Sequence, residues 1–266
     1  MRAIILAAGR GDRLRPHTDD VPKCLVQLGG ASLLSRQLEV LRAATDDIVI
    51  VRGYRKESIR VGGVRFVDNP DYATGNSVDS LMTARALFTG DCLVCYADLV
   101  YDVKIVDALV AAAPSIGVAV DTAFDDYWAA RPGLAALDSE SLTFDHCGRL
   151  QTIGRPSPRP AEVHGRFIGL LHFDDSGTAA FKDVYDGHAA VHRGRTSPWY
   201  HAPSFRSAAM TDMCQAMIDE GIDVTAIPVE SGWIEVDTAD DLRAYEQWIS
   251  EGRMGRFCEM LGGDRG

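Results

Sequence analysis

The sequence predicts an α/β fold: a mostly parallel sheet with helices on both faces, and a small antiparallel insertion later in the chain. Two observations lead to this prediction. Short apolar runs alternate with helical patterns over residues 1–120, and such alternation is typical of a parallel sheet covered on both faces. After Arg131 short strand-like segments follow one another directly, which indicates antiparallel strands.

The first half of the chain, about residues 1–120, contains five predicted strands and three predicted helices. The strands are expected at residues 2–6, 48–51, 64–67, 92–97 and 116–120. The helices are expected at residues 32–44, 77 to about 87, and about 105–112. Ser32 is placed to cap the first helix, and Asn76 or Ser77 is placed to cap the second. A loop rich in Gly, Arg and Pro runs from the first strand to about residue 30.

The second half, about residues 121–250, carries the insertion and completes a single domain of residues 1–250. Antiparallel strands are predicted at residues 134–137, 142–144, 150–153 and 167–173. Residues 155–160 are rich in Pro and Arg and predict a loop. Further elements are expected at residues 178–190, 207–220 and 239–249 (helices) and 224–228 (strand). Residues 251–266 are expected to form a loosely held tail.

The composition and net charge of the chain argue against several classes of partner. The 266 residues are 46% hydrophobic, and the net charge is −11 with a pI near 5.0. This charge argues against nucleic acid or an anionic membrane surface as a partner, since both require basic surface. The N-terminal apolar run is too short for a signal peptide, and no segment approaches the roughly 18 apolar residues of a membrane span. A cytoplasmic enzyme is expected, and a homo-oligomer is compatible with the sequence.

Cys92 and Cys95 have the spacing of zinc ligands. They lie, however, in an apolar strand pattern, where residues three apart point to opposite faces. No second Cys or His pair stands near them in the sequence. We therefore expect buried structural thiols.

The loop after the first strand carries the strongest chemical signal. Two glycines, Gly9 and Gly11, stand among the arginines Arg10, Arg13 and Arg15. Open α/β sheets bind ligands at the carboxyl ends of their strands. Glycines let backbone N–H groups approach phosphate oxygens, and arginines neutralise their charge. The alternative is a surface turn with solvated arginines.

Two familiar phosphate loops do not match this segment. A dinucleotide fingerprint requires a third glycine where Leu14 stands, and this excludes the motif of an NAD-dependent oxidoreductase. A Walker A loop requires Gly-Lys-Ser/Thr, which is also missing here.

Residues 9–23 resemble the signature of the sugar-1-phosphate and phosphocholine nucleotidyltransferase superfamily. They match Gly-x-Gly-x-Arg-Leu-x-Pro-x-Thr-x-x-x-Pro-Lys at every motif position. The resemblance implies a Rossmann-like sheet of the nucleotide-diphospho-sugar transferase type. It also implies that Arg13 holds the leaving phosphates and that Lys23 contacts the α-phosphate and the acceptor phosphate. The nucleotide-binding residues implied are Leu6, Ala7, Ala8, Gly9, Arg10, Gly11, Asn76 and Ser77.

Two aspartates are expected to bind Mg²⁺. Asp98 ends a predicted strand where the family places a magnesium ligand. Asp237 closes residues 233–237, which are similar to the family's late Trp-x-Glu-Ile/Val-Asp segment, whose Asp is the second ligand. Alone, Asp98 would fit a turn and Asp237 a helix cap. Together with the phosphate loop they favour a hard-cation site.

The branch of the superfamily is indicated by residues 75–81. Their Asn-Ser-x-x-Ser-Leu pattern resembles the phosphocholine cytidylyltransferases, whereas sugar-nucleotide enzymes usually have Gly-Thr-Ala. The resemblance implies transfer of CMP from CTP to a small phosphate or phosphonate, by in-line attack on the α-phosphorus with release of pyrophosphate. The alternatives are a sugar-1-phosphate uridylyl- or thymidylyltransferase and a regulatory relative that only binds nucleotide. The latter would have no reason to keep Lys23, Asp98 and Asp237 together.

The acceptor is less well indicated. Four aromatic residues allow a cage for a quaternary ammonium or a set of packing residues; they are Tyr127, Trp128, Trp199 and Tyr200. Arg195 lies in a basic stretch, residues 188–206, that would suit an anionic acceptor. Arg166 stands three places before Gly169, where the family often has an acidic residue. This departure favours an acidic or neutral acceptor over phosphocholine.

Overall fold

The computed structural model describes residues 1–131, 141–154 and 163–262. The strands in these ranges are β1 (Arg2–Ala7), β2 (Gln27–Leu28), β3 (Ala31–Ser32), β4 (Ile48–Arg52), β5 (Arg65–Asp68), β6 (Cys92–Tyr96), β7 (Leu99–Tyr101), β8 (Ile116–Asp121), β9 (Ser141–Phe144), β10 (Leu150–Ile153), β11 (Gly165–Phe173), β12 (Thr225–Val229) and β13 (Trp233–Glu235). The α-helices are α1 (Leu33–Ala44), α2 (Ser77–Thr83), α3 (Val103–Ala112), α4 (Phe124–Ala130), α5 (Asp175–His192), α6 (Met210–Asp219) and α7 (Ala239–Ser250).

A nine-stranded sheet organises the described part of the chain. Its path runs β10-β9-β11-β6-β1-β4-β5, with β8 beside β11 and β12 beside β8. Strand β1 is parallel to both β4 and β6, and β12 is parallel to β8. Strand β11 is antiparallel to β6, β8 and β9. The predicted α/β class with a small antiparallel insertion is therefore confirmed.

The core has two hydrophobic clusters, one on each face of the sheet. Ile5 belongs to the first cluster and Ile4 to the second, as expected for neighbours on a strand. Helices α1, α3 and α7 pack into the first cluster, and α2, α5 and α6 into the second. Cys95 and Cys92 divide between the clusters in the same way, and both are buried. The prediction of structural thiols is confirmed.

The predicted helix starts agree with the caps that the structure shows. Ser32 Oγ accepts a hydrogen bond from Ser35 N at 3.1 Å, and Asn76 Oδ1 accepts one from Ser77 N at 2.8 Å. Helix α2 is shorter than predicted. It ends at Thr83, and residues 84–87 form turns in which Leu87 N donates to Ala84 O.

The loosely held tail is a wrong prediction as far as residue 262. Met254, Phe257 and Leu261 are buried against the first cluster. Gly232 N donates to Phe257 O at 2.7 Å, which ties this segment to the start of β13. The apolar residues are too widely spaced for a recognisable helical pattern, so the sequence alone did not reveal the packing.

The strand predicted at residues 134–137 and the loop at residues 155–160 lie outside the described residues. Helix α4 was not predicted. Within the described ranges, no helix combines the length and the apolar character that crossing a membrane requires.

Gly177→Ala is expected to destabilise the fold by about 1–3 kcal/mol. Gly177 lies in the first turn of α5, and a Cβ there would overlap the Ser115 carbonyl oxygen and approach Ile116 Cγ1 to 2.9 Å. The free energy of unfolding in urea measures the effect. Gly187→Ala on the same helix is the control: its Cβ would meet nothing within 4 Å, and the change should stabilise by about 0.5–1 kcal/mol. Equal effects of both changes would contradict the packing of α5 on the sheet.

Candidate active site

A cavity of about 330 Å³ lies at the carboxyl ends of β1 and β6, beside the N-termini of α2 and α6. Because parallel strands point their carboxyl ends at one edge, residues far apart in sequence meet here. The lining residues are Leu6, Ala7, Ala8, Gly9, Arg13, Lys23, Cys24, Tyr72, Gly75, Asn76, Ser77, Ser80, Tyr96, Ala97, Asp98, Ala209, Thr211 and Glu235.

The glycine-arginine loop shapes one wall of this cavity. Gly11 has a φ of 74°, a conformation that favours glycine. A Cβ at Gly11 would also lie only 2.9 Å from Lys23 Cβ, so the loop packs closely on the lysine. Thr18 Oγ1 donates to Gly11 O at 2.8 Å, and the buried Leu14 anchors the turn in the core. The conformation of this loop thus places the side chains of Arg13 and Lys23 at the cavity.

Lys23 lies between two carboxylates. Its Nζ is 2.7 Å from Asp98 Oδ2 and 2.8 Å from Asp237 Oδ1. Burial disfavours the ammonium, but the Asp98 and Asp237 charges outweigh burial and raise the pKa of Lys23 above its ordinary value. Arg13 Nη1 lies 2.6 Å from Asp237 Oδ2. Burial favours the neutral form of Asp237, yet Lys23 and Arg13 hold the pKa of that carboxyl below its usual range.

Glu235 joins the two aspartates to form a carboxylate trio, which we define as Asp98, Glu235 and Asp237. One ligand atom from each lies within 4.8 Å of the others. Burial, and then the nearby Asp98 charge, raise the pKa of Glu235. Asp98 Oδ1 is buried and has no hydrogen-bond partner among the described residues. A hard cation such as Mg²⁺ prefers this donor set, so the residues present fit such an ion.

Ser77 connects the walls of the cavity at the N-terminus of α2. Its Oγ accepts from Tyr96 OH at 3.1 Å and from Met210 N at 2.9 Å. Asn76 Nδ2 donates to Ser207 O at 3.2 Å. The N-terminus of α2 is therefore fixed to β6 and to the start of α6, and the polar N-terminal groups of both helices lie beside the cavity.

Most of the predicted nucleotide and catalytic residues come together. Of these predicted residues, the ones that line the cavity are Leu6, Ala7, Ala8, Gly9, Arg13, Lys23, Asn76, Ser77 and Asp98. Asp237 joins them through Lys23 and Arg13. Gly11 supports Lys23 from behind, and Arg10 lies over the Tyr54 ring at 5.1 Å. Tyr72 also lines the cavity and was missed, because a single aromatic residue in a loop carries no recognisable signal.

Glu235 was missed as a site residue although its segment was recognised. The signal was present: Glu235 and Asp237 are two apart in an extended segment, a spacing that places both on one face.

The predicted acceptor residues lie elsewhere. Trp128 is buried in the first hydrophobic cluster and Trp199 in the second, so the four aromatic residues do not form one cage. Tyr200 packs on Trp199 and donates its hydroxyl to Asp219 at 3.0 Å. Arg195 is exposed just after α5. The described structure does not place Trp128, Tyr200 or Arg195 on the cavity, and their contact with an acceptor stays a prediction.

The chain matches one family model and is similar to several cytidylyltransferases. The model of the MobA-like NTP transferase domain matches residues 3–151. The CTP:phosphoglutamine cytidylyltransferase of Campylobacter jejuni is 28% identical over 257 residues, 91% of this chain and 98% of that protein. The choline-phosphate cytidylyltransferase of Streptococcus pneumoniae is 46% identical over 90 residues, 32% of this chain and 39% of that protein. The solved CTP:phosphocholine cytidylyltransferase of S. pneumoniae has a TM-score of 0.74 and 26% identity, covering 92% of this chain and 97% of that one.

Proposed function

This chain belongs to the family of MobA-like NTP transferase domains, and we propose that it transfers CMP from CTP to a small phosphate or phosphonate acceptor, with release of pyrophosphate. The observation that carries the proposal is the position of Lys23. It lies in the cavity beside the phosphate loop and contacts two carboxylates at hydrogen-bond distance. A charged lysine held there can bring two phosphate groups together.

The proposed reaction needs no general base. A phosphate monoester has a second pKa near 6 and is largely ionised at neutral pH, so it can attack without losing a proton to the protein. Lys23 would draw the attacking oxygen and the α-phosphate together, and Arg13 would stabilise the charge on the leaving phosphates. Catalysis would then consist of positioning and charge neutralisation.

We propose Mg²⁺ as the cofactor, held by the carboxylate trio. The buried Asp98 Oδ1, which lacks a hydrogen-bond partner among the described residues, supports this. When bound, the ion would neutralise part of the triphosphate charge. Lys23 would exchange its contacts with Asp98 and Asp237 for contacts with phosphate.

Support for CTP and for the acceptor class comes from relatives. A relative that spans almost the whole chain is named for CTP and phosphoglutamine, and a second for choline phosphate. A third, the 2-aminoethylphosphonate cytidylyltransferase of Lancefieldella rimae, is 35% identical over 105 residues, 38% of this chain and 43% of that protein. All three acceptors are small phosphates or phosphonates with a second polar or charged group.

Pyrophosphate release tests the proposal. The protein with Mg²⁺ would be offered CTP, UTP, dTTP, GTP or ATP, each with phosphocholine, 2-aminoethylphosphonate, phosphoglutamine or glucose 1-phosphate. We expect release with CTP and one small phosphate or phosphonate. Release only with UTP or dTTP and the sugar phosphate would support the sugar-nucleotide alternative instead. Silence with every pair would count against the proposal.

A further inference from the structure

We infer that Arg131 is a positioning residue for the carboxylate trio. It holds Glu235 directly, and it holds the backbone of Asp237 through Asp241. The inference rests on the proposed function, because it concerns the residues proposed to bind the metal ion. Arg131 lies at the end of α4, more than 100 residues before its partners, and no sequence motif connects them.

The Arg131 guanidinium is engaged on two sides. Its Nε donates to Asp241 Oδ1 at 2.9 Å and its Nη2 to Asp241 Oδ2 at 3.0 Å, a bidentate pair. Its Nη1 donates to Glu235 Oε2 at 2.9 Å. The side chains of Arg131 and Asp241 are 3% and 0% exposed. A planar guanidinium with two such partners has one orientation, and it fixes one oxygen of Glu235 in space.

Asp241 connects Arg131 to the backbone of Asp237. Its Oδ2 accepts from Asp237 N at 3.1 Å and from Thr238 N at 2.8 Å, and Thr238 Oγ1 accepts from Asp241 N at 3.1 Å. This capping box starts α7 immediately after the metal-binding segment. The Arg131 guanidinium therefore fixes the carboxylate of Asp241, which in turn holds the backbone of Asp237.

Glu235 is also held from its backbone. Glu235 N donates to Tyr127 OH at 3.0 Å, and Tyr127 OH lies 2.7 Å from Tyr245 OH. Tyr127 lies in α4 and Arg131 directly follows that helix, so one short segment fixes both the main chain and the side chain of Glu235.

Electrostatics favours the same role. Burial disfavours the charged guanidinium, but hydrogen bonds to Asp241, together with the nearby Tyr127 and Glu235 side chains, outweigh burial and raise the pKa of Arg131. Three carboxylates gathered in one site repel one another. Lys23 and Arg13 counter this repulsion from the cavity side, where substrate phosphates would compete for them. Arg131, with a side chain only 3% exposed, counters it from the buried side, where substrate phosphates would not compete for it.

A purely structural role for Arg131 makes a different prediction. If the ion pair only fastens α4 to α7, its loss would reduce stability without changing metal affinity in the folded protein. Groups that orient metal ligands typically affect affinity by about 10- to 100-fold. Metal affinity therefore separates the two roles.

The test is Mn²⁺ binding by the free full-length protein, measured by electron paramagnetic resonance. Arg131→Lys keeps the positive charge but cannot make the bidentate hydrogen bonds of the guanidinium, so it should raise the dissociation constant for Mn²⁺ about 10-fold. Arg243→Gln is the matched control. Its ion pair with Asp240, at 2.7 Å, is exposed and lies on the same helix α7, so affinity should stay at the wild-type value. Should Arg131→Lys fail to fold, Asp241→Asn tests the same connection.

Pyrophosphate release as a function of Mg²⁺ gives the second readout. Arg131→Lys should need about 10-fold more Mg²⁺ for half-maximal activity while keeping kcat at saturating Mg²⁺ within about threefold. Unchanged Mn²⁺ affinity in a folded variant, or a wild type that binds no Mn²⁺, would overturn the inference. A kcat loss that Mg²⁺ does not restore would overturn it too. If no substrate pair releases pyrophosphate, the proposed function fails, but the Mn²⁺ comparison still decides the role of Arg131.

Discussion

Lys23→Ala is expected to lower kcat by about three orders of magnitude while the fold stays intact. Lys23 is the cation that lies deepest among those lining the described cavity, with a side chain only 14% exposed, and its Nζ contacts both Asp98 and Asp237. In the proposed reaction Lys23 draws the two phosphates together, and the alanine variant loses this contact. Steady-state pyrophosphate release measures kcat, and thermal unfolding checks the fold.

Lys56→Ala is the matched control for Lys23→Ala. Lys56 pairs with Asp68 at 2.9 Å on the surface, so its loss should leave kcat unchanged. Near-normal activity of Lys23→Ala would contradict the assigned role. The affinity for Mn²⁺ is a second readout, which separates loss of the lysine from general damage to the site. Because the Lys23 ammonium occupies Asp98 and Asp237, Lys23→Ala should bind Mn²⁺ more tightly than the wild type even as its activity falls.

Asp237→Asn is expected to lower kcat by about 100- to 1,000-fold. Asp237 is only 6% exposed and contacts both Lys23 and Arg13, at 2.8 and 2.6 Å. The amide keeps the shape but removes the charge that orients the lysine and that is proposed to bind a divalent ion. Activity across a Mg²⁺ titration measures the change.

Asp240→Asn provides the comparison for Asp237→Asn. Asp240 lies three residues further on, with a side chain 65% exposed, and pairs only with Arg243 among the described residues. Its loss should leave the Mg²⁺ titration curve in place. Equal effects of Asp237→Asn and Asp240→Asn would show that general surface charge, and not the carboxylate trio, supports activity.

The features that the sequence predicted correctly depend on local patterns. Strand β1 alternates its side chains between two clusters, and the apolar run at its position shows a buried strand directly. The glycine-arginine loop is contiguous in sequence, so the spacing of Gly9, Gly11 and Lys23 sets much of its geometry. Asp98 follows a recognisable strand, so its position at this edge of the sheet could be predicted, and the structure places it in the cavity.

The features that were missed depend on contacts between distant segments. Arg131 lies 104 residues from Glu235 and 110 from Asp241, and its neighbours in sequence do not indicate a buried arginine. The packing of residues 254–262 depends on Phe257 reaching Gly232 and the first cluster, which no periodicity shows. Trp128 and Trp199 were assigned together by residue type, but the sheet separates their clusters.

The product of the reaction tests the central claim most directly. The protein would be incubated with CTP, Mg²⁺ and the acceptor that gives pyrophosphate, and followed by ³¹P nuclear magnetic resonance. We predict equal amounts of pyrophosphate and of a new compound in which the acceptor phosphorus is joined to CMP through a P–O–P linkage. Consumption of CTP to CMP or CDP with an unchanged acceptor signal would contradict nucleotidyl transfer.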